Sequence, residues 1–321
     1  MERAKISFSI GKRYDTQLLI EGAISVEGYD VTYPYVGEAP SRSFQSMITD
    51  LPYDVGEQAF AHYLIARDQG KPLTAIPVFP SRFFPHLGVS VRRDSGIKNP
   101  SDLVGRRVGA PDFAYNPAVW MRSILQHQYE VPIQKILWVE DSHQPFFRGL
   151  PYPRPKQFQI EQIDVAARGK PYHGWGSVLD DGGVDAIFMA SGGMPPSEES
   201  TKLFPDWEKE VRAYVQTTGI FPINTVITIQ ESVVARHPEL PGRLMAACQE
   251  AKEKYQRQPV MDPAGDHMGL RESVLQSMGL LPNQYGLKQN RSAIRMMIHY
   301  CYEQGLIRKL YEPEELFIPG L

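Results

Sequence analysis

Polar and apolar residues alternate from Lys5 to Ile10 (KISFSI), which predicts a first strand with Ile6, Phe8 and Ile10 on one face. YDTQLLIEGAI follows with helical spacing and a stop at Gly22. GYDVTYPYV alternates again as a second strand, and RSFQSMITD puts Phe44, Met47 and Ile48 on one side of a short helix. YDVGEQAFAHYLIARDQG reads as a strand end, a turn and a helix, with Phe60, Tyr63 and Leu64 on one face and an end at Gly70. LTAIPVFP and HLGVSVRR are the next strands.

A new unit opens at GIKNPSDLVGRRVGAPDF, where Ser101 and Asp102 start a helical turn and RRVGA is a short strand. YNPAVWMRSILQHQYEV is a helix, with Asn116 expected as N-cap and Pro117 at the first helical position. KILWVE is a strand, and GWGSVLDDGGVDAIFMA a helix, a glycine break and a strand. The segment from VITIQ to EKYQ holds a strand and two helices; RSAIRMMIHYCYEQGL is a late helix with Ile294, Met297, Ile298 and Cys301 on one side. This alternation predicts an α/β fold without internal repeats. DSHQPFFRGLPYPRPKQFQ and SGGMPPSEES read as loops.

Bulk properties narrow the class. A chain of 321 residues predicts about two domains. A net charge of -3 without any Lys/Arg run gives no reason to expect nucleic acid or an anionic membrane surface as partner. No apolar stretch approaches the ~18 residues of a membrane span. The start, MERAKISFSIGKRYDTQ, has no apolar core with a cleavage site, so a cytoplasmic location is expected. Cys248 and Cys301 fall in helical apolar patterns and are expected as buried thiols. His62, His127, His143, His173, His237, His267 and His299 show no metal-ligand spacing, and there is no HExxH, CxxC, GxGxxG, P-loop or GxSxG. No metal and no cofactor are therefore expected.

Ten motifs occur in order: IPVFPSR, GI.NPSDL.GRRVGAP, VW.R..L...Y.V, G.VDAIF, LFPD, TGIFPI, RHPEL, YG...NR, EQGL and PEELF. Together they resemble the 4,5-dihydroxyphthalate decarboxylase family over nearly the whole chain. The resemblance implies a two-lobed type 2 periplasmic-binding-protein-like fold with two crossing strands, near Gly88–Arg92 and Gly219–Thr228. Lobe one would be 1–90 plus 226–321, lobe two 91–225, with the ligand between them. The family commonly has a His soon after IFPI; here Asn224 and Thr225 follow Ile223, so no role is carried over for it. The family's opening motif also has Tyr-Asp followed by a slightly longer segment than Tyr14 and Asp15 have here.

On that fold, a small aromatic dicarboxylate calls for a cationic fork, and Arg82 follows a proline-stiffened apolar run, beside Ser81. His86 is a candidate proton donor. Asn116 starts a helix whose N-terminus suits a carboxylate; Trp120 and Arg122 follow on it. Glu57, with Asp15 and Tyr14 on the same rim, is a candidate to accept a phenolic proton, and Asn224 to contact ligand. Each has a plain alternative: a salt-bridged Arg82, a backbone-bonded His86, an ordinary cap at Asn116, a core Trp120, a helix-start charge at Glu57 and a turn at Asp15. The activity implied is cofactor-independent decarboxylation of a hydroxylated aromatic dicarboxylate such as 4,5-dihydroxyphthalate to protocatechuate. A solute-binding protein, or another lyase of the menaquinone branch on the same fold, are the alternatives. An exposed edge of lobe one leaves room for a homo-oligomer.

Overall fold

The computed structural model describes residues 3–34, 41–143, 153–168, 173–190, 197–257, 272–280 and 284–321. The chain runs through β1 (Ala4–Ser9), α1 (Tyr14–Ile20), β2 (Tyr29–Thr32), α2 (Ser41–Thr49), β3 (Val55–Ala59), α3 (Phe60–Asp68) and β4 (Leu73–Ile76). A 3-10 turn, Pro85–Gly88, leads into β5 (Val89–Arg92). Then come β6 (Arg107–Ala110), α4 (Asn116–Gln128), β7 (Leu137–Asp141), β8 (Gln159–Ile163), α5 (His173–Asp180), β9 (Ala186–Phe188), β10 (Ser200–Lys202) and α6 (Trp207–Thr218). The chain returns through β11 (Thr225–Gln230) to α7 (Glu231–Arg236), α8 (Leu240–Arg257), α9 (Glu272–Ser277) and α10 (Leu287–Glu303).

Two sheets result, with strand orders β2-β1-β3-β11-β4 and β10-β5-β9-β6-β7-β8. In the first, β2, β1 and β3 are parallel and β11 is antiparallel to both β3 and β4. In the second, β9, β6, β7 and β8 are parallel, while β5 runs antiparallel to β9 and β10. β11 lies between two strands under helices, and its TVITIQ is buried up to the last residue. β2 at the edge alternates half-buried and exposed. That contrast is the one between doubly covered and edge strands.

The main apolar core does not stop at either sheet. Phe60, Tyr63 and Leu64 of α3, Trp120 and Ile124 of α4, and Ile294 and Ile298 of α10 belong to one contiguous cluster. Each such side chain contributes about 1.5–3 kcal/mol of burial. Tyr63 adds a hydrogen bond to the Leu316 carbonyl. Separate clusters lie under β1 with α8 and around Trp175. At the crossing, a Cβ on Gly88 would sit 1.9 Å from the Met189 carbonyl oxygen. The two backbones can touch there because no side chain intervenes, and Met189 donates its N–H to the Gly88 carbonyl at 3.0 Å.

Several boundaries differ from the sequence expectation. The end of α1 does not: the helix runs to Ile20 and Gly22, φ +74°, follows as the expected stop. β4 stops at Ile76, before the prolines, and His86 sits in the 3-10 turn rather than in a strand. Helix α6 and the strands β8 and β10 had no counterpart in the reading. For α6 the signal was present: Val211, Tyr214 and Val215 are its buried stripe. β8 and β10 are the two edges of the second sheet, with mostly half-buried or exposed residues, so little alternation marks them. Cys248 and Cys301 are both buried, as expected. No helix among the described residues is long and apolar enough to cross a membrane.

Candidate active site

The first passage between the sheets runs over residues 77–88, earlier than expected, because Val89–Arg92 pairs within the second sheet; it lies against the return segment ahead of β11. Arg82 pairs with Ile223 as an isolated antiparallel bridge. The N–H groups of Asn224 and Thr225 both donate to the Ser81 carbonyl, at 2.9 and 3.1 Å, and Asn224 Nδ2 donates to Ser81 Oγ at 3.1 Å. Asn116 joins from α4: its Nδ2 donates to the Ile223 carbonyl at 3.1 Å and to Asn224 Oδ1 at 3.2 Å. Trp120 Nε1 donates to the same Ile223 carbonyl at 2.9 Å. Five residues singled out from the sequence therefore meet at one knot, but not all in the expected roles.

Asn116 is the first residue of α4, and its side chain does not cap that helix. Its Oδ1 instead accepts the Ala61 N–H at 2.9 Å. Helix α3 begins after Ala59, which has no acceptor side chain, so a neighbouring helix supplies one. Trp120 is core, 1 % exposed. Arg82 is buried, and its terminal nitrogens donate to protein: Nη1 to the Phe221 carbonyl at 3.1 Å, Nη2 to the Gln284 carbonyl at 3.2 Å and to Asn290 Oδ1, while Nε has no partner among the described residues. Its guanidinium lies 5.3 Å from the Phe79 ring centre, and burial lowers its pKa to about 9. The expectation of a carboxylate fork at Arg82 is corrected to a hinge tie. Arg122 is likewise internal: it lies 3.9 Å over Phe113 and donates through Nε to Gln304 Oε1 at 2.7 Å.

His86 is fully buried between Phe204 and Tyr214, at 5.3 and 5.9 Å between ring centres. Neither ring nitrogen has a hydrogen-bond partner among the described residues. Burial drives its pKa from 6.5 down to about 3. A ring held neutral in an aromatic pocket is unsuited to donate a proton near neutrality, and that expectation is corrected too. Tyr14 and Asp15 open α1; their side chains lie outside the described residues.

Glu57 carries the most pronounced site chemistry. It sits in β3, 1 % exposed. Its Oε2 accepts the Gly11 N–H at 3.0 Å and Arg13 Nη2 at 2.8 Å. Its Oε1 is buried and accepts no hydrogen bond among the described residues. Gly11 and Arg13 lie just past the carboxyl end of β1, where open α/β sheets bind ligands. A Cβ at Gly11 would fall 2.7 Å from Arg13 Nη1, so glycine lets the guanidinium fold back onto the loop. The sequence reading overlooked Arg13. Its signal was a cation in the loop directly after the first strand.

Other polar groups pack nearby in the chain. His62 Nε2 of α3 lies 3.7 Å from Asp112 Oδ1, beyond β6, and both are fully buried. Glu140, at the end of β7, accepts the Phe113 N–H at 3.0 Å and Arg154 Nη2 at 3.1 Å. Asp141, His143 and Asp164 bring three donor atoms within 4.8 Å of one another, close enough for a cation. His143 Nδ1 lies 3.4 Å from Asp164 and 3.6 Å from Asp141. Asp141 Oδ1 already takes the His143 N–H at 3.1 Å and Asp164 Oδ1 the Ala167 N–H at 3.0 Å, which makes the group an ion-paired corner.

Two sheets joined by paired crossings, with an ionic pair beyond a strand end, define the two-lobed α/β type 2 periplasmic-binding-protein-like fold. Solved structures agree: the periplasmic aliphatic sulphonate binding protein SsuA from Escherichia coli has a TM-score of 0.56 at 15% identity, covering 98% of both chains. A DSZB mutant in complex with biphenyl-2-sulfinic acid has a TM-score of 0.55 at 15% identity, covering 99% of this chain and 97% of the other. At such identities the likeness concerns the fold alone. The NMT1/THI5-like family model matches residues 27–134. A 4,5-dihydroxyphthalate decarboxylase of Comamonas testosteroni is 27% identical over 100% of this chain and 98% of its own. One of Pseudomonas putida is 28% identical over 45% of this chain and 55% of its own. The resemblance to the 4,5-dihydroxyphthalate decarboxylases thus extends over the full chain.

Proposed function

We propose that the protein is an aromatic carboxy-lyase, acting without an organic cofactor on a hydroxylated aromatic dicarboxylate of the 4,5-dihydroxyphthalate type and releasing protocatechuate. The observation that carries this reading is the Arg13–Glu57 pair, whose buried oxygen Glu57 Oε1 has no hydrogen-bond partner among the described residues. Full-length similarity to a decarboxylase of that substrate supports it.

Direct loss of CO2 from an arene would leave an aryl carbanion. A hydroxyl para to the leaving carboxylate avoids this. Glu57 Oε1 takes the phenolic proton, and negative charge passes from Glu57 to the phenolate oxygen beside Arg13. The guanidinium thus stabilises charge in both states. The phenolate pushes electrons into the ring, and the carbon bearing the carboxylate accepts a proton from water, whose hydroxide leaves to solvent; Glu57 returns its proton to the phenolate when the ring becomes aromatic again. The C–C bond then breaks, CO2 leaves, and its electron pair restores aromaticity. The substrate's carboxylate end is assigned to the hinge, toward Ser81 and the half-buried Asn224. A proton donor is not assigned to His86.

The test is CO2 release from 4,5-dihydroxyphthalate by the purified chain, with Glu57→Gln compared at matched folding by circular dichroism. Turnover in the parent, with kcat lowered at least about 100-fold in the variant, is expected for a lost general base. Tight binding without turnover at any pH or added metal would instead favour a solute-binding protein, which the likeness to SsuA keeps as second reading. Turnover of other carboxylated rings alone would move the assignment to another lyase.

A further inference from the structure

A recess of about 710 Å³ opens between the C-terminal halves of α4 and α6 and one side of α10. None of Arg13, Glu57, Ser81, Asn116 or Asn224 lines it. Its size is that of a small-molecule site. Ile124, Ile220 and Met296 supply an apolar floor, and Tyr300, stacked on His127 at 5.5 Å and 11°, a flat wall.

The charge of the lining is one-sided. His127, Arg295 and His299 line the recess, and no Asp or Glu does. Their acidic partners stand outside: Glu303 holds His127 Nε2 at 2.8 Å and His299 Nε2 at 3.2 Å, and Glu312 holds Arg295 Nη2 at 2.7 Å. These ion pairs hold the three side chains in place, which lowers the entropy lost when a ligand meets them. Ser292 adds a hydroxyl at the mouth.

The recess also adjoins both crossings. Tyr300 meets Trp120 edge-on at 5.4 Å, and Trp120 donates to the Ile223 carbonyl. Tyr214, on the opposite wall, meets Phe84 edge-on at 6.2 Å and His86 at 5.9 Å on the first crossing. Ile220, in the floor, leads directly into the return crossing.

We propose that this recess is a second ligand site, for a small planar aromatic carboxylate, and that its occupancy stiffens the hinge between the two lobes. The ring lies on the Tyr300–His127 wall and the carboxylate meets Arg295 and the imidazoles. The site stands independently of the decarboxylase reading.

The test is titration calorimetry of the full chain with benzoate, together with backbone hydrogen exchange over residues 219–226. Ser292→Trp fills the recess, Arg295→Ala removes its guanidinium from an exposed helix face, and Arg13→Ala alters only the candidate active site. Benzoate affinity is expected to fall at least about tenfold in Ser292→Trp and in Arg295→Ala and to persist in Arg13→Ala. Exchange over 219–226 is expected to slow on benzoate addition in the parent and in Arg13→Ala, and not in Ser292→Trp. Absence of benzoate binding overturns the proposal. So does binding that survives both recess variants, binding lost only in Arg13→Ala, or unchanged exchange at the hinge. Benzoate carries no hydroxyl to ionise, so none of these outcomes depends on turnover.

Discussion

Arg82 and Arg13 are the same residue type in opposite settings. Arg82 meets carbonyls and aromatic faces inside the hinge, whereas Arg13 lies half-buried over a carboxylate at a strand end. Nothing in IPVFPSR distinguishes a fork aimed at ligand from one aimed at backbone, because the acceptors come from Phe221, Gln284 and Asn290, far along the chain. His86 makes the same point with a measurable consequence. Its folded pKa of about 3 lies below its ordinary 6.5, so between those values the unfolded chain binds the extra proton. The stability it supports is complete above pH 6.5 and is lost as pH falls, by about 1.4 kcal/mol per unit down to its folded value. Urea midpoints measured from pH 7 to pH 4 are expected to fall less steeply in His86→Phe than in the parent. Parallel slopes would show that His86 does not titrate in this way.

Helix α3 starts without a cap of its own, and α4 starts with an asparagine that looks outward. Asn116 closes both gaps: it caps α3 at Ala61 and ties α4 to the return crossing at Ile223. Asn116→Ala leaves the Ala61 N–H without its buried acceptor, while the Ile223 carbonyl loses one donor and keeps Trp120 Nε1, at a cost of about 1–3 kcal/mol. Asn116→Asp restores the acceptor only and is expected to recover part of that loss. A midpoint in chemical denaturation unchanged in Asn116→Ala would refute the trans-cap. The sequence marked the start of α4 within one residue through Asn-Pro, yet it could not say which helix the asparagine serves, since local spacing carries no information about a contact 55 residues away. Strong helical periods such as that of α10 were legible, while the short edge strands β8 and β10 were not.

The two sheets are bound by more than their crossings. α3, α4 and α10 share one apolar cluster, and Gln304 reaches from beyond α10 to the Val119 carbonyl and Ser123 Oγ, at 2.9 and 2.8 Å. A core that spans both lobes is expected to unfold as one unit, with a single calorimetric transition whose van't Hoff and calorimetric enthalpies agree. Two separated transitions would show that the lobes have independent cores. The sequence by itself determined the α/β alternation, most central strands and helices, and the order of the motifs. Those features are written in local periodicity and in short runs of neighbours. The tertiary structure alone decided that Arg82 is an internal tie, that His86 is a neutral core ring, and that Arg13 faces Glu57. A side chain's chemistry depends on which distant backbone carbonyls, rings and charges surround it, and only the folded chain brings those together.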